Sequence, residues 1–299
     1  LITQLLGCGK MFTSETHVTG KVGEIIVVCD DAIWNSPIHG DLDSGLTQFI
    51  MPYFPDVATF ELLHYNNKNF AGAVKRHRNV LFLSIDQNHK ESKGTLQYKE
   101  NVWANGQLVI EIIAKDYPQL TKTINSGVKE IHEKYDFAEW DRIRKHFAKK
   151  QNQQIDKRLK NKFSIHLDFP DGSKVVSLRK NFCRIELPPA SRPIEFVGEG
   201  KQDVGTILSG IMIYQYPFTD SSQLGFDQVM KARDTMLKYN VPHETPGLYM
   251  GTQYNEFVYP EYTKSTNYSS TIEGIEVRGM FEFKGRYSYS TGGAFWSFH

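Results

Sequence analysis

From Gly23 to Cys29 the chain reads Gly-Glu-Ile-Ile-Val-Val-Cys and offers no polar face. A continuous β-branched run of this kind predicts a strand buried on both sides, as in a parallel or mixed sheet. Ser36-Pro37 then supplies an N-cap and a first-turn proline. Ile38, Leu42, Leu46, Phe49 and Ile50 recur at helical spacing, so a helix is predicted to follow the strand. Further strands are predicted at 79–85 and 107–114. Leu120, Ile124, Val128, Ile131 and Tyr135 mark one helical stripe, and Trp140, Ile143, Phe147, Ile155 and Leu159 mark a second, looser one.

Phe163, Ile165, Leu167 and Phe169 alternate with polar residues, a period of two that predicts a strand. Pro170-Asp171-Gly172 would turn it into a hairpin returning through Val176 and Leu178. Pro188-Pro189 and Arg192-Pro193 interrupt the pattern and mark residues 188–193 as a connection between halves. Beyond them a strand is predicted at 206–214. Phe226, Val229, Met230, Arg233, Met236 and Leu237 share one helical face, which Asn240 and Pro242 close. From Tyr249 to His299 the abundance of Tyr, Phe, Thr and Gly predicts several antiparallel strands. The fold class is therefore α/β (α+β), a mixed sheet with packed helices, divided into a tether at 1–20, an N-terminal half at 21–187 and a C-terminal half at 188–299. Each half runs strand, helix, strands, which raises a repeat of topology without matching residues to support it.

Composition narrows the function. At 299 residues and 40% hydrophobic content the chain buries a sizeable core. Lys+Arg at 35 against Asp+Glu at 34 leaves a net charge of +1, so no global field draws it to nucleic acid or an anionic surface. One local exception stands out: between Asp141 and Lys162 nine Lys/Arg face two Asp, a local +7 on one amphipathic helix, which fits either a solvated helix face or a contact with anionic headgroups or another polyanion. No run of 18 apolar residues occurs. Cys8, Cys29 and Cys183 form no C-x-x-C pair, and Cys29 and Cys183 both lie in apolar runs as small buried hydrophobes do.

The opening, Leu1-Ile2-Thr3-Gln4-Leu5-Leu6-Gly7-Cys8, is similar to the end of a signal-peptide apolar region, and Leu5-Leu6-Gly7-Cys8 resembles a bacterial lipobox, with Leu6 in place of the usual small residue. The chemistry is specific: a free thiol near the membrane accepts the diacylglyceryl group, and Gly7 leaves the peptidase room at the scissile bond. Residues 9–20 are polar and small, as a tether should be. At about 0.8 kcal/mol per buried methylene, several acyl chains hold a protein effectively for good. Cys8 is thus the expected lipidation site.

Asp30, Asp31, His39, Asp41 and Asp43 cluster after the first strand, at the end where open α/β sheets place ligands. They raise a metal-assisted hydrolase using Asp30, Asp31 and His39. Against it, Asp41 and Asp43 fall early in a helix, where the dipole favours carboxylates, and Asp41-x-Asp43-x-Gly45 lacks the closing glutamate of a calcium loop. Enzyme signatures fail in turn: His132-Glu133 lacks a second histidine, Gly198-x-Gly200 lacks the third glycine, and neither G-x-S-x-G nor G-x-x-x-x-G-K occurs. No cofactor is expected.

Dispersed segments add a resemblance. They are Glu24 to Val28 with Trp34 to Pro37, Arg78 to Asp86, Val102-Trp103-Ala104 with Gln107-Leu108-Val109, Tyr214 to Pro217, Arg233-Asp234 through Pro242, Tyr249-Met250, Arg278-Gly279 and Gly292-Gly293. In that order they resemble the Bacteroidota lipoproteins grouped as the domain of unknown function DUF4837, with departures at Gly106-Gln107 and Gly293-Ala294-Phe295. The resemblance implies a secreted, lipid-anchored envelope protein and no assigned activity. Arg78, Trp103, Gln107, Arg233, Asp234 and Arg278 lie inside these segments, either as a shared ligand pocket or as buried ion pairs that fix the sheet edges. Arg233 and Asp234, adjacent on one helix, are not expected to face each other. The leading reading is a non-catalytic binding or assembly-supporting lipoprotein of the outer membrane, facing the periplasm. Its partners would be the membrane through the anchor and other envelope proteins.

Overall fold

A computed structural model describes residues 17–50, 52, 57–148, 150–195, 202–269, 272–285 and 289–299. Cys8 and its lipobox, Lys149 and the Gly198-x-Gly200 pair lie outside the described residues. The chain is α+β and separates into two compact units, Leu1–Phe49 with Ala58–Ile143 and Ile50–Val57 with Arg144–His299.

The N-terminal unit is built on a five-stranded mixed sheet of order β2-β1-β3-β5-β4. β1 (Glu24–Val28) is buried throughout, as its unbroken apolar run requires, and it pairs in parallel with both β2 (Glu61–Tyr65) and β3 (Asn79–Ile85). β5 (Leu108–Ala114) extends the parallel set from β3, and β4 (Thr95–Glu100) closes it antiparallel. One face, carrying Ile25, Val27, Leu81, Leu83, Ile110 and Ile112, packs under α1 (Asp31–Trp34), α2 (Ile38–Leu46) and α3 (Tyr117–Ala148). The other face carries Ile26, Val28, Val80 and Val109 and is covered by Phe70 and Val74.

Ser36 caps α2 as its position predicts: its Oγ accepts from the amide of Ile38 at 3.3 Å, and Pro37 already has helical φ. The helix stops at Leu46, before Phe49 and Ile50, because Phe49 pairs instead with Ala58 as an isolated bridge. Trp140, Ile143 and Phe147 do not start a second helix. They continue α3, with Trp140 and Phe147 exposed on its surface. The break comes later, where Gln151 bridges Pro170 and the Asn152 side chain caps α4 (Gln153–Phe163).

In the C-terminal unit α4 buries Ile155, Leu159 and Phe163 against Cys183 and Ile185 of a three-stranded antiparallel sheet. That sheet is β10 (Gly210–Tyr214), β7 (Phe182–Glu186) and β6 (Lys174–Arg179). The hairpin is β6–β7, turning at Lys180-Asn181, and the segment 164–169 that alternates like a strand pairs with no other strand. Phe169 is nevertheless buried in this core, and Ile165 packs against it. Residues 188–193 are not a connection: after 187–189 the chain enters β8 (Ala190–Glu195), which pairs with β9 (Gln202–Ile207). Pro193 is tolerated because this is a two-stranded ribbon with open edges. The division of the chain consequently falls at Ile143/Arg144, not at 187/188.

α5 (Phe226–Asn240) lays Val229 and Met230 on Ile275 and Val277 of β13 (Ile272–Gly285). β13 is the long central strand that pairs antiparallel with β11 (Leu248–Thr252), β12 (Glu261–Ser269) and β14 (Tyr289–Phe298). The units therefore do not repeat one topology. The first has a mostly parallel sheet, with α1 and α2 in the β1–β2 crossover, and the sheets of the second are antiparallel throughout.

Candidate functional site

Arg78 and Gln107 belong to a buried polar cluster around Glu139 of α3. Glu139 Oε1 lies 3.3 Å from Arg78 Nε and 3.0 Å from Arg142 Nη2, and accepts from Asn79 Nδ2 at 2.8 Å. Arg142 also donates to the Gly106 carbonyl at 2.7 Å and to Asn79 Oδ1 at 2.7 Å. Its guanidinium is held below the usual arginine range by burial, against the pull of Glu139. His77 spans the Asn79 carbonyl at 3.0 Å and the Glu24 carboxylate at 3.3 Å. Burial alone would raise the Glu24 carboxyl, but the Lys21 amide and His77 outweigh it and hold it below the usual range. Gly20, at φ +89°, is required here, since a Cβ would come 2.1 Å from the His77 ring. Gln107 donates to the Lys75 and His77 carbonyls, both at 2.7 Å, and accepts from the Trp103 amide at 3.0 Å. Trp103 itself packs edge-on to Phe70 at 5.5 Å between ring centres. Arg78, Gln107 and Trp103 thus make contacts between loops and sheet strands.

The acidic cluster after β1 does not converge. Asp30 accepts from Asn67 at 3.0 Å, Asp31 lies 3.9 Å from His64, and His39 stacks on Trp34 at 3.8 Å. Trp34 stacks in turn on His64 at 4.7 Å. Among the described residues no group of three His, Cys, Asp or Glu side chains has metal-holding geometry. Cys29 and Cys183 are both free and buried, and burial pushes the Cys29 thiol up to about 12 and the Cys183 thiol also upward.

The C-terminal unit holds a second arginine cluster, and this one opens onto a cleft. Arg233 and Asp234 do meet, contrary to expectation, with Nη1 and Oδ1 3.6 Å apart. The long guanidinium reaches back to a shared partner: Thr252 Oγ1 accepts from Arg233 Nη1 and donates to Asp234 Oδ1. Asp234 Oδ2 accepts from the Tyr254 phenol at 2.6 Å. Burial, with the neighbouring Asp234, drives that phenol well above its usual range. Arg233 stacks on Phe295 with 3.4 Å between guanidinium carbon and ring centre, and burial lowers it to about 10. His299 is lowered to about 4 by burial and by Arg233. Arg278 is not part of this cluster. Val277 faces α5, so its neighbour Arg278 points to the opposite side of the sheet, where it pairs with Glu276 at 2.7 Å and lies over Trp296 at 4.9 Å.

In front of Asp234 lies a cleft of about 310 Å³ lined by Asp234, Thr235, Lys238, Tyr239, Tyr249, Gly251 and Lys284. α5 supplies one wall, and β11 with the end of β13 supplies the other. Lys238 Nζ stands 5.4 Å from the Tyr249 ring centre, and Lys284 Nζ stands 5.0 Å from that of Tyr254. Gly251 is the floor: a Cβ there would come 2.8 Å from the Lys284 stem, so glycine lets the lysine lie across it. Of the residues singled out in the sequence only Asp234 lines this cleft. Lys238, one helical turn beyond it at i+4, and Tyr249, inside a family-like segment, were the signals that could have led there.

No curated protein and no solved structure matches the chain. Two family models do: a domain of unknown function, DUF8532, over residues 18–148, and a second, DUF4837, over residues 152–298. The DUF4837-like segments between Glu24 and Val109 thus fall within the DUF8532 match, while those from Tyr214 onward fall within DUF4837. The α5 cleft lies entirely inside the second match, and through residues 152–298 the chain is a member of the DUF4837 family.

Proposed function

We propose that the chain is a lipid-anchored protein of the cell envelope, held through Cys8 and facing the periplasm, and that it binds its ligand rather than transforming it. The α5 cleft is the binding site. The observation that carries this reading is the state of the cleft's polar groups. Asp234 is occupied by Thr252, Tyr254 and Arg233, and the Tyr254 phenol is held protonated, so neither is poised as a base or nucleophile at neutral pH. What faces solvent is the Lys238 ammonium over the Tyr249 ring and the Lys284 ammonium over the Tyr254 ring, the latter 3.6 Å from Glu282. Ammonium suits a carboxylate, and the exposed Tyr239 ring beside Lys238 adds an apolar surface for the carbon skeleton of a ligand, so the ligand class proposed is an acidic saccharide.

Two variants divide the reading. Cys8→Ser keeps the side chain's size and removes the nucleophilic thiolate, so the protein moves to the soluble fraction yet keeps its affinity for tri-galacturonate. Lys238→Gln with Lys284→Gln stays in membranes and loses at least about tenfold in that affinity, measured by calorimetry against neutral galactotriose. A Cys8→Ser protein that still sediments after a high-salt wash overturns the anchor. Equal affinity for the acidic and neutral trisaccharides overturns the cleft.

A further inference from the structure

The basic stretch noted in the sequence resolves into a defined surface on α4. Ile155, Leu159 and Phe163 occupy one side of this helix and are buried. Lys157, Arg158, Lys160 and Lys162 cover the remaining circumference, and all four are exposed. Among the described residues none of the four pairs with a carboxylate, and Lys162 Nζ stands 5.9 Å from the centre of the Phe163 ring. The helix carries one acid, Asp156, and that carboxylate is engaged: it lies 2.6 Å from His166 Nδ1 and accepts from the Leu167 amide at 3.2 Å. The side chain caps and the packing hold the helix in place. Asn152 caps its start, and Ser164, at φ 58°, ends it in the left-handed conformation.

We infer that this face of α4 docks on the anionic phospholipid headgroups of the membrane to which the protein is tethered, an inference that rests on the Cys8 anchor proposed above. Charge complementarity selects the occupant. Four cations on eleven residues, none paired with a carboxylate among the described residues, form a local positive field in a chain whose net charge is only +1. The apolar side of α4 is committed to the core, so the helix cannot roll and insert as an amphipathic surface helix does. Contact is therefore electrostatic and shallow. It orients the body against the bilayer instead of adding a second anchor, and it weakens as salt shortens the reach of the charges to about 10 Å at 0.1 M.

The test uses the full chain carrying Cys8→Ser, so that acyl chains contribute nothing to the readout. At low salt this protein co-sediments with vesicles of phosphatidylcholine mixed with phosphatidylglycerol and not with phosphatidylcholine alone. Lys157→Gln with Lys160→Gln lowers the partition coefficient on the order of 30-fold, and circular dichroism melting shows Tm unchanged because both side chains are solvated. Equal partition onto neutral vesicles, an unchanged partition of the double variant, or tighter binding to a DNA duplex than to the anionic vesicles each overturns the docking surface. A Cys8→Ser protein that leaves cell membranes in high salt but binds anionic vesicles in low salt supports both proposals. One that survives the salt wash overturns the anchor alone.

Discussion

Glu139 and Asp234 are each the carboxylate at the centre of an arginine cluster, but the two clusters are closed off to different degrees. The Glu139 side chain is 7% exposed and its arginines, Arg78 and Arg142, are 13% and 10% exposed. Arg233 is buried to the same extent, at 6%, whereas Asp234 is 31% exposed and lines a cleft. In the first cluster Arg142 ties α3 to the Gly106 and Arg78 backbone carbonyls and to the Asn79 side-chain oxygen, a loop and a strand edge. In the second the carboxylate accepts from Thr252 on Oδ1 and from Tyr254 on Oδ2 while its side chain stays 31% exposed. A buried arginine is thus by itself no sign of function; the difference lies in whether its partner reaches solvent beside other free polar groups.

Three perturbations bear on that difference. The largest effect belongs to Glu139→Gln. It leaves two buried guanidinium groups without their charge partner, and the N-terminal unit should lose about 3–5 kcal/mol in urea unfolding. Trp34, Trp103 and Trp140 all lie in this unit and report it by fluorescence. A loss under about 1 kcal/mol would mean that the cluster is hydrated and the contrast between the units false. Arg233→Met should cost less, about 2 kcal/mol, because Asp234 keeps the Thr252 amide, Tyr254 and solvent. Thermal melting of the C-terminal unit, with Trp296 as the reporter, checks it, and a loss matching that of Glu139→Gln would make the two clusters equivalent.

The smallest effect is on acid stability. His299 is held neutral, its value lowered to about 4 from an ordinary 6.5. The unfolded chain therefore binds the proton first as pH falls. The stability gained from the neutral ring is whole above about pH 6.5 and drains toward pH 4, on the order of 1 kcal/mol after allowance for its partial exposure. Glu24 is the opposite kind of group with the same sign of outcome: its lowered value supplies stability above its ordinary 4.5 that is lost only as pH falls below it. The C-terminal unit should begin to weaken first on acidification, and His299→Gln should remove that early phase. An unchanged onset in the His299→Gln variant would count against the burial of this ring.

Much of the N-terminal unit was legible because burial there is two-sided and leaves a direct trace. The Ile25 to Val28 run, the Ser36-Pro37 start and the stripe on α3 all follow from one-dimensional spacing. The segment from Phe163 to Phe169 misled because alternation reports one-sided burial and says nothing of a hydrogen-bonded neighbour. Its Phe169 carbonyl accepts from Asn152 and its Leu167 amide donates to Asp156, so the backbone is satisfied without a strand beside it. The Glu139 cluster was missed although a trace existed. Leu120, Ile124, Ile131 and Tyr135 step along the buried stripe of α3, and the next step of four lands on Glu139. A carboxylate in register with an apolar stripe signals a buried partner. Asp234 was visible as a residue, but its cleft was not, since Lys284 arrives from a strand 50 positions away through the β11–β13 register.

The two buried cysteines place one thiol in each unit, Cys29 in the sealed sheet and Cys183 under α4. Burial and the neighbouring Asp30 and Asp31 push the Cys29 thiol up to about 12, so the thiolate is scarce at neutral pH. Native-state disulfide exchange at this thiol is thereby suppressed. Once a unit opens, its thiol returns to ordinary reactivity, and the rates at which Cys29 and Cys183 are alkylated become separate clocks for the transient opening of the two units.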